Sequence, residues 1–326
     1  MSCFFCIKTD LSSLSKYRTE LMGFSAIGIL MCHACGNNVA MPSSIWQICS
    51  LGQLGVSLFF LLSGMGLFYS LKKNDLVDKL GGVFSWYSAR FKKLFVPYLI
   101  MAVPYYLWAS VIKHGNWGSF FLCVSTIEFW RTGGGVWFVG AIIPLYLIIP
   151  LWHKWLSGMR FRWIPTLVVF LALIALGQWR HMCEVAFFFL GYWLGKPVSE
   201  KKSANMAIWV LIPVVLYVLC KRFPALDWVP RSLLLVIPIL FLATFTFDKV
   251  GQWFKRPFHF MGKISLESYM ANVMLPTIFA YIPWMVNGVN LNAGNRLLYL
   301  CVVVFGILIA WFVHRLSEPI VKKLTK

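Results

Sequence analysis

A histidine inside an apolar run is the first side chain in this sequence with the means to do chemistry. The stretch RTELMGFSAIGILMCHACG, residues 18–36, opens on Arg18, continues through apolar and small residues, and then carries His33. Arg18 and His33 are 15 residues apart. On a helix that spacing puts them within about 60° of one face, with His33 roughly 20 Å further along the axis. An imidazole can take a proton from a hydroxyl near neutral pH, which acyl transfer to an alcohol requires. At membrane depth an ionisable group faces the bundle interior or a wet cavity and marks a functional candidate. The plainer alternative is a neutral histidine hydrogen-bonded to a helix carbonyl.

Other stretches carry further candidates. In HFMGKISLESYMANVML, residues 259–275, Glu267 lies a few residues into an apolar run and Asn272 follows five residues on. A carboxylate at that depth must be paired, protonated or hydrated. In WYSARFKKLFVPYLI, Arg90 and Lys93 stand at i, i+3 and share a helix face, while Lys92 points elsewhere. They read either as ordinary basic anchoring at the membrane surface or as a phosphate clamp for a cytoplasmic anionic donor such as an acyl-coenzyme A, since arginine grips phosphate oxygens in a fixed geometry. In GVSLFFLLSGMGLFYSLKKN, Ser63-Gly64-Met65-Gly66 interrupts an apolar run with small residues, the signature of close helix packing. Arg180 and Glu184 flank another short apolar run, and Glu318-Pro319 closes the last one.

The elements that must position these groups are membrane helices. A crossing needs about 20 mostly apolar residues. Ten runs qualify: 21–40, 51–71, 95–112, 136–152, 163–178, 183–196, 205–220, 231–247, 264–285 and 297–314. The expected fold is therefore all-α, a polytopic membrane protein with ten transmembrane helices. Of the 30 basic residues, 23 fall in segments that alternate crossing puts on one side, together with both termini. The positive-inside rule makes that side cytoplasmic. Residues 1–326 are expected to form a single integral-membrane domain, with 1–20 a short cytoplasmic segment. No signal-peptide pattern opens the chain.

Composition agrees. The 326 residues are 60% hydrophobic and 13% charged, with a net charge of +19. Soluble domains carry about a quarter charged residues. The basic residues sit in short clusters between apolar runs and form no aromatic–basic nucleic-acid module. Most of the nine cysteines fall in apolar runs, where cysteine behaves as a small hydrophobe. Cys32 and Cys35 lack the second ligand pair that a metal site needs, so no metal is expected.

Taken in order, these stretches resemble the membrane acyltransferase-3 family, whose members O-acylate surface sugars. The resemblance runs from the basic residue and histidine-bearing helix (Arg18 to His33) through FFLLSGMG (Phe59 to Gly66) and ARFKKLFVPY (Ala89 to Tyr98), the last similar to an Arg-x-x-Arg motif followed by proline. It continues through WFVGAIIPLYLIIPL (Trp137 to Leu151), RHMCEVAFFFLGYWLG (Arg180 to Gly195), GKISLESYMANVML (Gly262 to Leu275) and EPIVKKL (Glu318 to Leu324). Three positions depart from the family pattern. Met22 stands where an arginine usually precedes the histidine by eleven residues, with Arg18 one turn earlier. Lys93 replaces the second arginine, and Asn272 stands where a histidine often follows.

The resemblance implies an enzyme of the cell (inner, cytoplasmic) membrane that takes an acyl group, usually acetyl, from cytoplasmic acetyl-CoA or another acyl-CoA. The acceptor is a hydroxyl of a cell-surface polysaccharide or a lipid-linked glycan, and membrane lipids surround the whole. On that reading Arg90 and Lys93, helped by Arg18, hold the coenzyme A phosphates. Ser63 lies with the glycines that keep the second helix slim beside the thioester arm. His33 serves as general base or passes the acyl group through a transient adduct, and Glu267 or Asn272 orients the imidazole. The rival is a multi-span transporter or flippase without acyl chemistry, which explains broken spans and a buried histidine equally well but commonly shows an internal repeat. None is visible here. A non-catalytic membrane scaffold would explain the spans but not the buried ionisable groups.

Overall fold

Long apolar runs joined by short polar links leave the backbone no partner in lipid except itself, and such runs must become helices. The computed structural model describes residues 8–74, 80–161, 163–176, 182–223, 230–281, 285–286, 289–290 and 296–324, and these are helical almost throughout. A short strand β1 (Lys8–Asp10) leads into α1 (Ser12–Lys16), α2 (Arg18–Gly36), α3 (Ser43–Ser50), α4 (Leu54–Asn74) and α5 (Leu80–Tyr106). A π-helical turn, Leu107–Ile112, precedes α6 (Trp117–Val124), α7 (Ile127–Thr132), α8 (Trp137–Ser157), α9 (Trp163–Ala175) and α10 (Met182–Ser199). Strand β2 (Ser203–Asn205) then leads to α11 (Met206–Arg222), α12 (Arg231–Lys249), α13 (Gln252–Lys263) and α14 (Ser265–Tyr281). The two-residue strands β3 (Met285–Val286) and β4 (Val289–Asn290) and the last helix, α15 (Arg296–Leu324), complete the described chain.

A helix occupies each of the ten apolar runs. Among the described residues, six helical segments are long and apolar enough to cross a membrane: Arg18–Gly36, Ser43–Lys72, Gly82–Ile112, Trp137–Leu156, Arg231–Lys249 and Arg296–Leu324. The molecule is thus a helical, multi-pass membrane protein. The other four runs form shorter or more polar helices. At 13 residues, α9 is about 20 Å long, against a hydrocarbon layer of about 30 Å. Helix α5 begins at Leu80 rather than near 95, so Arg90 and Lys93 lie on a helix that continues inward, not on a loop. The two strand pairs are the small departures from an all-helical chain: β1 pairs antiparallel with β2, and β3 with β4.

The chain packs as two compact units. The first comprises Met1–Ile29, Leu51–Lys73 and Leu156–Lys263. Its centre is α4, where Phe60, Leu61, Leu62 and Met65 are fully buried. Here helices meet backbone to backbone. A Cβ on Gly64 would run into the Phe188 carbonyl of α10, and one on Gly191 would run into the Leu61 carbonyl of α4. Small residues allow that approach, and dispersion over the closely packed backbones holds it. A Cβ on Gly66 would strike the Arg18 guanidinium. The space these α4 glycines leave is therefore filled by α10 and by Arg18.

The second unit comprises Leu30–Ser50, Asn74–Trp155 and Ile264–Lys326. Helices α14 and α15 pack along their length, with Leu275 and Ala271 against Gly306 and Phe279 against Phe305. The fully buried Tyr98 of α5 donates its hydroxyl to the Cys123 and Val124 carbonyls at the end of α6, each at 3.1 Å. Asn116 caps α6 by accepting from the Ser119 amide at 2.9 Å, which satisfies one of the amides a helix start leaves open.

Candidate functional site

Helix α2 carries two of the expected groups, Arg18 in its first turn and His33 in its last. The helix ends there because Asn37 takes over the His33 carbonyl: its amide donates at 2.9 Å and its side-chain Nδ2 at 2.8 Å. Asn38 then turns the chain in the left-handed region, with φ 53°, a conformation asparagine tolerates better than most residues. The imidazole is thus fixed at a defined helix terminus.

His33 is half-buried and joined to α14. The Asn272 amide Nδ2 donates to His33 Nδ1 in a short hydrogen bond. Asn272 is only 2% exposed, and its Oδ1 is buried without a hydrogen-bond partner among the described residues. Tyr299 of α15 lies against the same amide, and its hydroxyl donates to the Leu30 carbonyl, one turn before His33. Three helices therefore close on one imidazole: α2 bears it, α14 holds the ring, and α15 pins the backbone beneath it. Cys32, Cys35 and Cys49 lie around Tyr299, and the Cys35 thiol donates to the Trp46 carbonyl at 3.6 Å.

The asparagine sets the tautomer. In that arrangement Nδ2–H occupies the Nδ1 lone pair, so a neutral ring carries its proton on Nε2. The two ends of a carboxamide are nearly indistinguishable in shape, and their assignment follows the hydrogen-bond network. With the amide reversed, Oδ1 accepts from Nδ1–H and the lone pair moves to Nε2, the arrangement a general base needs.

Glu267 is not in the hydrogen-bonding shell of His33. Its side chain is 6% exposed and meets His314 Nδ1 of α15 at 3.0 Å. Of the three states expected for it, the structure shows the paired one, tying α14 to α15. Arg90 lies over the Trp86 ring, 5.8 Å from the centroid, with Tyr146 near it. Lys93 is exposed beside it, and Lys92 turns away to donate to the Leu324 carbonyl. Neither Arg90 nor Lys93 has a carboxylate partner among the described residues. Two neighbouring cations without a counter-charge repel each other and favour an anion between them.

Arg18 and Ser63 belong to the first unit. Arg18 Nε donates to the Leu62 carbonyl of α4 at 2.9 Å, and its guanidinium lies along Gly66. Ser63 is half-buried one residue before Gly64, where α4 meets α10. Both residues are integral to the α4 packing. Arg180 lies outside the described residues, and Glu184 is buried on α10, where it accepts from the Cys183 thiol at 2.9 Å.

Sequence reasoning missed Tyr299 and His314. A tyrosine at the start of a span reads by default as an interface anchor. His314 carried the usual signal, an imidazole on an apolar helix, but nothing in the sequence tied it to Glu267, 47 residues away.

The fold and the clamped imidazole define an integral-membrane protein with a polar site built where three of its helices meet. A family profile described as an acyltransferase domain (Acyl_transf_3) matches residues 21–315. That is most of the sequence, and the chain belongs to this acyltransferase family. It is also similar to "Acyltransferase MdmB" of Streptomyces mycarofaciens, with 26% identity over 209 residues, 63% of this chain and 45% of the relative. The match thus spans less than half of that relative's length. No solved structure matches the chain.

Proposed function

We propose that this protein transfers an acyl group, acetyl foremost, from cytoplasmic acyl-CoA to a hydroxyl of a cell-surface polysaccharide or lipid-linked glycan. The observation that carries the reading is the part-buried His33–Asn272 hydrogen bond in a chain of the acyltransferase family. With Asn272 Oδ1 accepting from Nδ1–H, His33 Nε2 takes the acceptor's hydroxyl proton. The acceptor oxygen then bonds to the thioester carbonyl carbon, the carbon–sulfur bond breaks, and the thiolate leaves with the proton that His33 returns. Arg90 and Lys93 hold the donor's phosphates, while Arg18 fastens α2 to α4 through the Leu62 carbonyl.

The same reading places the enzyme in the cytoplasmic membrane with ten crossings and both termini inside. Contacts among the basic segments support it. β1 pairs with β2, Asp248 meets Lys16 at 3.5 Å and Tyr17 at 3.1 Å, and Lys72 meets Ser199 at 3.1 Å. In the second unit Lys92 meets the Leu324 carbonyl. All these segments fall on the side that positive charge marks as cytoplasmic. On the opposite side, Arg296 meets the Ala40 carbonyl.

The test is to incubate the purified protein with radiolabelled acetyl-CoA. Transfer of label to a glycan acceptor, or hydrolysis of the thioester in its absence, is the expected result. Intact thioester under all conditions, with the protein folded, overturns the proposal in favour of transport.

A further inference from the structure

Helix α13 was expected as part of a polar link, yet it is a 12-residue helix with one face packed and the other open. The packed face lies on the first turns of α2. A Cβ on Gly23 would run into the Phe258 carbonyl, and one on Gly262 into the Thr19 carbonyl, so the two backbones touch at both points. His259 Nδ1 meets Glu20 at 3.0 Å, and the buried Lys255 sits 4.8 Å from the centre of the Tyr17 ring.

The open face divides into two stripes. At about 100° per residue, Gln252, Lys263 and Arg256 fall within about 40° of one another, and Phe260, Trp253 and Pro257 occupy roughly the next 100°. Trp253 is 77% exposed, an unusual state for the largest apolar side chain. A basic stripe beside an aromatic stripe on a short helix is the pattern of a helix lying in the membrane interface.

The neighbouring elements fix its level. Helix α12, long enough to span, ends at Lys249, and α13 begins at Gln252. The nearby carboxylates are engaged: Asp248 with Lys16 and Tyr17, Glu20 with His259. The open face therefore presents positive charge alone, complementary to an anionic headgroup layer.

We propose that α13 is an in-plane anchor that binds anionic phospholipids. Arg256 and Lys263 take the headgroup phosphates, while Trp253 and Phe260 enter the acyl boundary. Because α13 touches α2 through Gly23 and Gly262, an occupied headgroup layer also holds the first turns of the helix that bears His33.

The experiment is lipid retention on the full chain, reconstituted in nanodiscs of mixed phosphatidylcholine and phosphatidylglycerol, extracted in mild detergent, and read by native mass spectrometry. Wild type is expected to keep phosphatidylglycerol preferentially. Arg256→Gln/Lys263→Gln should lower that preference by roughly 30-fold, which is about 2 kcal/mol at 1.4 kcal/mol per tenfold and about 1 kcal/mol per cation. Arg256→Lys/Lys263→Arg should retain it, as should Lys322→Gln/Lys323→Gln at the chain's end. Millimolar inorganic phosphate should not displace the lipid. Equal phosphatidylglycerol retention by wild type and the double glutamine variant, or displacement by free phosphate, overturns the proposal. The readout requires no acyl transfer, so it stands apart from the enzymatic reading.

Discussion

Asn272→Ala is the perturbation that best separates a positioned base from a histidine that merely fills space. In the proposed reaction His33 passes through the imidazolium form, whose Nδ1–H donates to Asn272 Oδ1. A hydrogen bond to a charged group contributes about 1.5–3 kcal/mol. Its loss in the transition state should therefore lower kcat roughly 10- to 150-fold, at about 1.4 kcal/mol per tenfold. The bond is made at a residue 2% exposed, so water replaces the lost partner poorly. Asn272→Asp supplies an acceptor only, and should keep far more activity than the alanine variant if Oδ1 faces the ring. The assay is the initial rate of label transfer from radiolabelled acetyl-CoA, with size-exclusion profiles confirming that each variant is folded. The decisive arm is the double variant: in a His33→Ala background, Asn272→Ala should cost nothing further, because the amide acts only through the ring. Asn272→Ala within twofold of wild type, or an equal cost with and without His33, would refute the reasoning.

Two further outcomes follow from the same geometry. Arg90→Glu should raise the KM for acyl-CoA much more than the KM for the acceptor, measured by varying each at saturating concentration of the other; equal rises would mean that no donor clamp exists. Glu267→Ala removes the buried partner of His314 Nδ1 and should destabilise the protein by about 1–3 kcal/mol in thermal unfolding. Glu267→Gln should recover most of that loss, and an unchanged midpoint for the alanine variant would show the 3.0 Å pair to be energetically silent.

The parts of the fold written in composition were readable from the sequence: each apolar run became a helix, because unpaired backbone is intolerable in lipid. Helix boundaries that depend on amphipathic rather than apolar patterning were not. The apolar run reads as beginning near residue 95, although α5 already begins at Leu80 and carries the basic residues before that run. Helix α13 has no apolar run at all and shows itself only through its 3.6-residue alternation. At the site, His33 and Asn272 were each legible as polar groups on apolar helices, and their meeting is seen in the structure. Glu267 was legible as a charge needing a partner, but pairing across helices depends on register between α14 and α15, which no local pattern encodes. Arg18 and the α4 glycines illustrate the same limit. Their types suggested room for a ligand, whereas a neighbouring carbonyl and a guanidinium fill that room.

The central claim is that His33 performs proton transfer in an acyl transfer reaction. It is tested most directly by comparing purified wild type and His33→Ala for label transfer from acetyl-CoA to a glycan acceptor at matched, folded concentrations. The account predicts a loss of about 10²–10⁴-fold, the usual cost of removing a general base. A His33→Ala protein that retains more than about a tenth of wild-type turnover would contradict it.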